Sequence, residues 1–200
     1  MTEIADYPEG LLDESSAAKI DLAAAERAAA SFLRALGVSC DNESMAKSPR
    51  RMAEAYAALF TPREFEMTTF PNDEDYDELV VVRSIPVQSV CEHHFLPFTG
   101  VAHLAYIPGD RILGLSKMAR VVEMFARRPQ TQERLTQQVA SWLDAHLSPK
   151  GVGVVIEAEH SCMTLRGVRA AGTSTSTSAL KGLLRESPQS RAEFFASLRV

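Results

Sequence analysis

Apolar residues return at helical spacing early in the chain, at Leu22, Ala25, Ala29, Phe32, Leu33 and Leu36, which predicts a helix opening near Ser15 or Ser16 and stopped by Gly37. Met52, Ala55, Tyr56, Leu59 and Phe60 form a second stripe. Ser48 suits its cap, Pro49 its first turn, and Thr61-Pro62 its end. Residues 61–78 are polar, increasingly acidic, and read as a loop. The period then shortens. Positions 79–90 and 101–107 are rich in β-branched residues and predict strands, with Pro108-Gly109-Asp110 as a turn into a short strand at 111–115. Helical spacing resumes at Met118, Val121, Val122 and Phe125 behind Ser116, and at Leu135, Val139, Trp142 and Leu143 behind Thr131, with Pro129 between the two helices. The run 152–163 predicts a long strand that places Val152, Val154, Ile156, Ala158, His160 and Cys162 on one face. The Ser/Thr-rich stretch 173–178 predicts another strand, since apolar sequence resumes at Ala179, and a helix near 190–198 closes the chain.

Helices, hairpin, helix pair, hairpin and helix in that order make an α+β pattern. The expected organisation is an acidic tail at 1–14, a helical extension at 15–62 and a main domain at 63–200. With 200 residues, 46% hydrophobic and 24% charged, the chain has the apolar content of a folded domain, which excludes wholesale disorder or a coiled coil. No apolar run approaches the roughly 20 residues needed to span a bilayer. The acidic start, with Glu3, Asp6 and Glu9, lacks the basic opening of a secretory signal, so a soluble cytoplasmic protein without a membrane partner is expected. A net charge of −5 argues against a nucleic-acid partner, so any anionic ligand must be met by a local cationic cluster. Three cysteines are too few for a disulfide scaffold, and reduced thiols are expected.

Two of those cysteines stand beside histidines. Cys91-Glu92-His93-His94 follows directly on one predicted strand, and His160-Ser161-Cys162 ends another. Thiolate and imidazole are preferred zinc ligands, and three protein ligands with one open position characterise catalytic zinc. Cys91, His94 and Cys162 can supply the three, leaving His93 and His160 beside the metal to move protons near neutral pH. The same residues also read as ordinary buried cysteines and satisfied histidines. Ser116-Lys117 opens a helix, with Arg120 on the same side as Lys117. Cations in a first turn oppose the helix dipole unless an anion sits there. A phosphate group would resolve the conflict, and Arg166 could add a further contact. A solvated basic face partnered by Glu123 is the alternative. Gln132 and Glu133 open the next helix. Glu133 suits the dipole without any further role, although a carboxylate can also accept the paired N–H donors of a guanine edge. Cys40, His103 and His146 are assigned no function.

Taken in order, Cys91-Glu92-His93-His94, Gly114-Leu115-Ser116-Lys117, the segment from Arg128 to Thr136, His160-Ser161-Cys162-Met163 and Arg166-Gly167 resemble GTP cyclohydrolase I over roughly residues 20 to 198. The resemblance implies the tunnelling fold, an antiparallel sheet with a helix pair on one face. It also implies a homodecamer of two face-to-face pentamers with active sites at subunit junctions, and conversion of GTP to 7,8-dihydroneopterin triphosphate and formate. On that basis Cys91, His94 and Cys162 would hold Zn²⁺, while Ser116, Lys117, Arg120 and Arg166 would hold the triphosphate. Gln132 and Glu133 would read the guanine, and His93 and His160 would form the acid/base pair. Arg51 would reach a phosphate from a neighbouring subunit. Glu54 stands where the family often has a basic residue, a departure that weakens the expected triphosphate contacts. Two alternatives accompany this expectation: a non-catalytic, zinc-stabilised assembly protein, and the nitrile reductase of queuosine synthesis.

Overall fold

The structure, a computed structural model, describes residues 19–198. The elements are α1 (Leu22–Ala35), α2 (Ser48–Leu59), β1 (Thr69–Pro71), β2 (Val80–Cys91), β3 (Pro97–Ile107), β4 (Arg111–Leu113) and α3 (Leu115–Ala126). There follow β5 (Pro129–Gln130), α4 (Gln132–Leu147), β6 (Gly151–His160), α5 (Ser161–Thr164), β7 (Thr175–Gly182), α6 (Leu183–Glu186) and α7 (Pro188–Ser197). The expected acidic tail at 1–14 lies outside the described residues. The chain divides into two compact units between Thr61 and Pro62.

In the first unit α1 packs on α2. Its onset is later than the apolar stripe suggests, because Asp21 caps it by accepting the Ala24 N–H at 2.9 Å. Ser48 is the first residue of α2 rather than its cap, with its hydroxyl turned to the Met45 sulfur at 3.6 Å.

The second unit is built on a five-stranded sheet of order β5-β2-β3-β6-β7, antiparallel except for the short parallel pairing of β5 with β2 at Val90↔Pro129 and Cys91↔Gln130. Alternation along β6 explains its layering. Val152, Val154, Ile156 and Ala158 are buried on one face. Val155, on the other, joins Ala105, Ile107, Leu184 and Phe194 in a core beneath the C-terminal helices. Gly153 must lack a side chain, because a Cβ there would stand 2.8 Å from the Phe194 ring. Helix α3 packs on β2 and α4 on β6 and β7, contributing Met118, Val122, Leu135, Val139 and Leu143 to the interior. The architecture is the α+β arrangement that the apolar pattern predicts.

Three details correct that pattern. The acidic loop contains β1, which pairs with β4. Strand β3 begins at Pro97 rather than 101, which lengthens the hairpin toward the Cys91 turn. Most consequentially, β6 stops at His160, and Cys162 sits in the helical turn α5, closed by the Leu165 N–H donating to the Ser161 carbonyl at 3.0 Å. Strand alternation therefore does not place Cys162 beside His160. The outer side of β2 is paired only at its last two residues, and among the described residues β7 has no further neighbour, so both sheet edges are open.

Candidate metal centre and active site

Between β2 and β3 the chain reverses over five residues. The Cys91 N–H donates to the Leu96 carbonyl at 2.9 Å, the Phe95 N–H donates to the Cys91 carbonyl at 2.8 Å, and Phe95 takes φ 53°, in the left-handed region. This tight reversal gathers the histidines around one sulfur: Cys91 Sγ lies 3.8 Å from His93 Nδ1 and 3.9 Å from His94 Nδ1. The β3–β6 register, pairing Phe98 with His160, delivers the end of β6 to the same place, and α5 brings Cys162 Sγ to 4.0 Å from Cys91 Sγ. The ligand atoms of Cys91, His94 and Cys162 all lie within 4.8 Å of one another, so the trio could hold a metal ion.

The donor set fits zinc. Two sulfurs bound at about 2.3 Å to one tetrahedral ion stand about 3.8 Å apart, whereas a disulfide needs about 2.05 Å. Burial pushes the Cys162 thiol up, and the neighbouring Cys91 sulfur pushes it further, while the charge of Arg166 opposes both. A metal ion shared by the two sulfurs would bind them as thiolates, the form in which cysteine is a ligand.

The turn is anchored from α4. Arg134 donates to the Glu92 carboxylate, to the Pro129 carbonyl at 3.1 Å and to Gln130 Oε1 at 2.7 Å. Gln130, fully buried, donates in turn to the Phe125 carbonyl at 2.9 Å and to Gln138 at 2.8 Å. Metal ligands need such outer support to keep their orientation.

His160 is half-buried, and its ring stacks on Phe98 with centroids 4.5 Å apart and planes 12° from parallel. Burial pulls its pKa below the ordinary value, and the negative charge of Glu133 works against that pull. Glu133 itself is exposed. Gln132 is 2% exposed, and its side chain is fully engaged. Nε2 donates to the Ile156 and Thr175 carbonyls at 2.9 Å each and lies 3.1 Å from Thr177 Oγ1, while Oε1 lies 2.8 Å from His160 Nε2. Every polar atom of the Gln132 side chain, expected at the guanine, is thus engaged within the chain.

Ser116 and Arg120 line a cavity of ≈ 390 Å³ with Arg63, Gln88, Glu123 and Arg127, and none of the metal trio borders it. Arg166 instead acts on Cys162. Helix α3 lies on β2, whereas Arg166 follows the turn at the end of β6. Lys117 is half-buried in the first turn of α3. Arg51 is exposed on α2, in the other unit, where Glu54 is held by Arg50 at 2.6 Å.

Within the cavity Glu123 accepts a forked pair from Arg63 at 2.7 Å each, with Arg120 at 3.5 Å and Arg127 at 3.9 Å. Arg63 above all holds the Glu123 carboxyl below its ordinary value of 4.5. A depressed folded-state pKa stabilises the fold above the unfolded value, and this contribution is lost as pH falls through the folded one. The difference in urea midpoint between wild type and Glu123→Gln is thus expected to be steady above pH 4.5 and to shrink below it. Because Arg63 is 69% exposed, added salt should diminish the difference. A gap that widened on acidification would contradict the assignment. Arg63, Phe98 and Arg134 escape sequence reasoning because their partners lie 60, 62 and 42 positions away, and no local spacing marks them.

An α+β sheet with two cysteines and one histidine grouped so that they could hold a metal, beside a stacked histidine, is the arrangement expected of a tunnelling-fold protein with a metal centre. A profile of the GTP cyclohydrolase I family matches residues 25–199. GTP cyclohydrolase 1 of Rhodopirellula baltica is 48% identical over 180 residues, covering 88% of this chain and 78% of that protein. The Mycobacterium avium protein of the same name is 49% identical over 181 residues, 88% of each chain. That of Mycobacterium tuberculosis is 50% identical over 175 residues, 84% of this chain and 86% of its own. The chain belongs to the GTP cyclohydrolase I family. Among solved structures, an archaeosine synthase QueF-like in its apo form aligns with a TM-score of 0.42 at 20% identity, over 52% of this chain and 93% of its own, a likeness too slight to carry weight.

Proposed function

We propose that this chain is a zinc-dependent GTP cyclohydrolase I, hydrolysing GTP at C8 of the guanine to give 7,8-dihydroneopterin triphosphate and formate, the first step of pterin biosynthesis. The observation that carries this reading is the meeting of Cys91 and Cys162, 71 positions apart, with His94 at one point and with His160 held alongside. Relatives 48–50% identical and named GTP cyclohydrolase 1 support it.

Cys91, His94 and Cys162 would hold the zinc. When bound there, zinc supplies Lewis acidity and brings the ionisation of water toward neutral pH. Glu133, exposed beside His160, accepts the N1 and N2 hydrogens of guanine. Ser116, Lys117, Arg120 and Arg166, with Arg51 of a neighbouring copy, take the triphosphate. Holding both ends of GTP presents C8 to the trio, which is the orientational part of the rate gain. His93, exposed on the turn, donates a proton at N7 as the C8–N bond opens. His160 moves protons through the second hydrolysis, which releases formate, and through the ribose rearrangement that closes the pterin ring.

The reading also proposes a homodecamer of two pentamers, with residues 63–200 as the catalytic domain of a cytoplasmic enzyme. The open edges of β2 and β7 support self-association, since an unpaired edge invites another strand. So does the separation of the Ser116 cavity from the trio, because a second copy would supply the missing half. Among the described residues no helix is long and apolar enough to cross a membrane. A merely structural metal would have no use for a half-buried, hydrogen-bonded His160 outside the trio, and a nitrile reductase would need NADPH and one nucleophilic cysteine rather than a paired set. The test is to measure zinc and formate on one preparation. About one zinc per chain, with GTP-dependent formate and a product fluorescent after oxidation, is expected. Zinc without formate would favour the assembly protein, and metal-free protein would sink both.

A further inference from the structure

We infer that Gln132 is a positioning residue that fixes which nitrogen of His160 carries hydrogen, and that it does not touch the substrate base. The inference rests on the proposed cyclohydrolase reading and adds a mechanism for orienting its acid/base histidine. An amide presents two donors on nitrogen and only acceptors on oxygen. Gln132 Nε2 faces the Ile156 and Thr175 carbonyls at 2.9 Å each, and both groups can only accept. Turning the amide over would aim its oxygen at two carbonyl oxygens within a pocket where Gln132 is 2% exposed, so the orientation is determined by chemistry. Oε1 must then face His160 Nε2 at 2.8 Å, and since that oxygen can only accept, Nε2 must donate. The neutral ring consequently keeps its lone pair on Nδ1.

Two further contacts prevent the pair from turning. The Phe98 ring lies parallel to His160 at 4.5 Å and sets the imidazole plane. Thr136, 1% exposed, bonds to the Gln132 carbonyl at 2.7 Å and to the Thr177 hydroxyl at 2.7 Å, tying the first turn of α4 to β7 at the level of the amide. The arrangement follows the logic of a group that orients a catalytic base from behind.

The experiment is steady-state kinetics with GTP on zinc-loaded wild type and Gln132→Met, a near-isosteric change that removes the acceptor. Gln132→Met is expected to keep its zinc and its KM within about twofold while kcat falls at least about tenfold, because His160 loses the acceptor that orients it; the bonds lost from Nε2 to the Ile156 and Thr175 carbonyls should appear separately, as a lowered thermal midpoint. A KM raised more than about tenfold with kcat retained would overturn the inference, since that marks a lost base contact. An unchanged kcat would overturn it equally. Should Gln132→Met fail to fold, solid-state NMR of ¹⁵N-histidine-labelled wild-type holoenzyme decides, with the His160 signals identified by their loss in His160→Asn. Hydrogen on Nε2 supports the assignment, and hydrogen on Nδ1 alone defeats it. Wild type that releases no formate would refute the cyclohydrolase reading itself, whereas the NMR result speaks only to Gln132.

Discussion

Cys162→Ala is expected to lose bound zinc and formate release together. Only the turn α5 brings a second sulfur to Cys91, at 4.0 Å, and among the described residues no other cysteine, aspartate or glutamate joins the group that could hold a metal. Removing a ligand leaves one thiolate and one imidazole, too few to retain zinc against dialysis. Outer-sphere changes alone cost 10–100-fold in affinity, so losing a ligand should cost more, and kcat should fall by at least about 10³. Zinc analysis and formate release on the same sample test this, with Cys40→Ala, far from the trio in sequence and lying in the other unit, as the unaffected control. A Cys162→Ala protein that still turned GTP over at more than a tenth of the wild-type rate would remove the metal centre from the account.

His160→Ala is expected to separate the two properties that Cys162→Ala loses together. The His160 ring nitrogen is bonded to Gln132 and its face to Phe98, so it stands beside the metal trio without belonging to it. Zinc should remain at about one per chain, while kcat should drop by about 10²–10⁴, the usual contribution of a positioned acid/base group. The removal also leaves Gln132 Oε1 without its partner in a buried site, which should cost roughly 1–3 kcal/mol of stability. Thermal unfolding checks that cost independently of turnover. Loss of zinc from a folded His160→Ala protein would instead place the histidine among the ligands.

Much of this site is legible along the chain because its parts are short and chemically distinctive. A cysteine and two histidines within four residues after a strand need only a tight turn to converge, and the turn forms as a five-residue reversal. The Thr131 cap of α4 is equally local, its hydroxyl accepting the Arg134 N–H at 3.3 Å. Gln132 and the phosphate residues were less legible. Adjacent to Glu133, Gln132 looks like a second polar group facing a ligand. Helical geometry instead turns it inward, where β6 and β7 present carbonyls that only their mutual register locates. Ser116 and Arg120 ride on α3 and line one cavity, whereas Arg166 follows α5 and acts on Cys162, an allocation that no local spacing states.

Sequence by itself determined the α+β order, the buried faces of β6, α3 and α4, and the identity of the cysteine and histidine donors, because apolar periodicity and ligand chemistry are properties of neighbouring residues, whereas Phe32 and Leu36 of the first predicted stripe are exposed. Only the tertiary structure decided that Cys162 reaches Cys91 from a helical turn rather than along a strand, that the Gln132 amide is spent on His160, and that the Arg63–Glu123 cavity stands apart from the trio. Those outcomes depend on strand register and on hydrogen bonds between residues tens of positions apart. Their energies exist only once the sheet has closed, and no local window of the chain contains them.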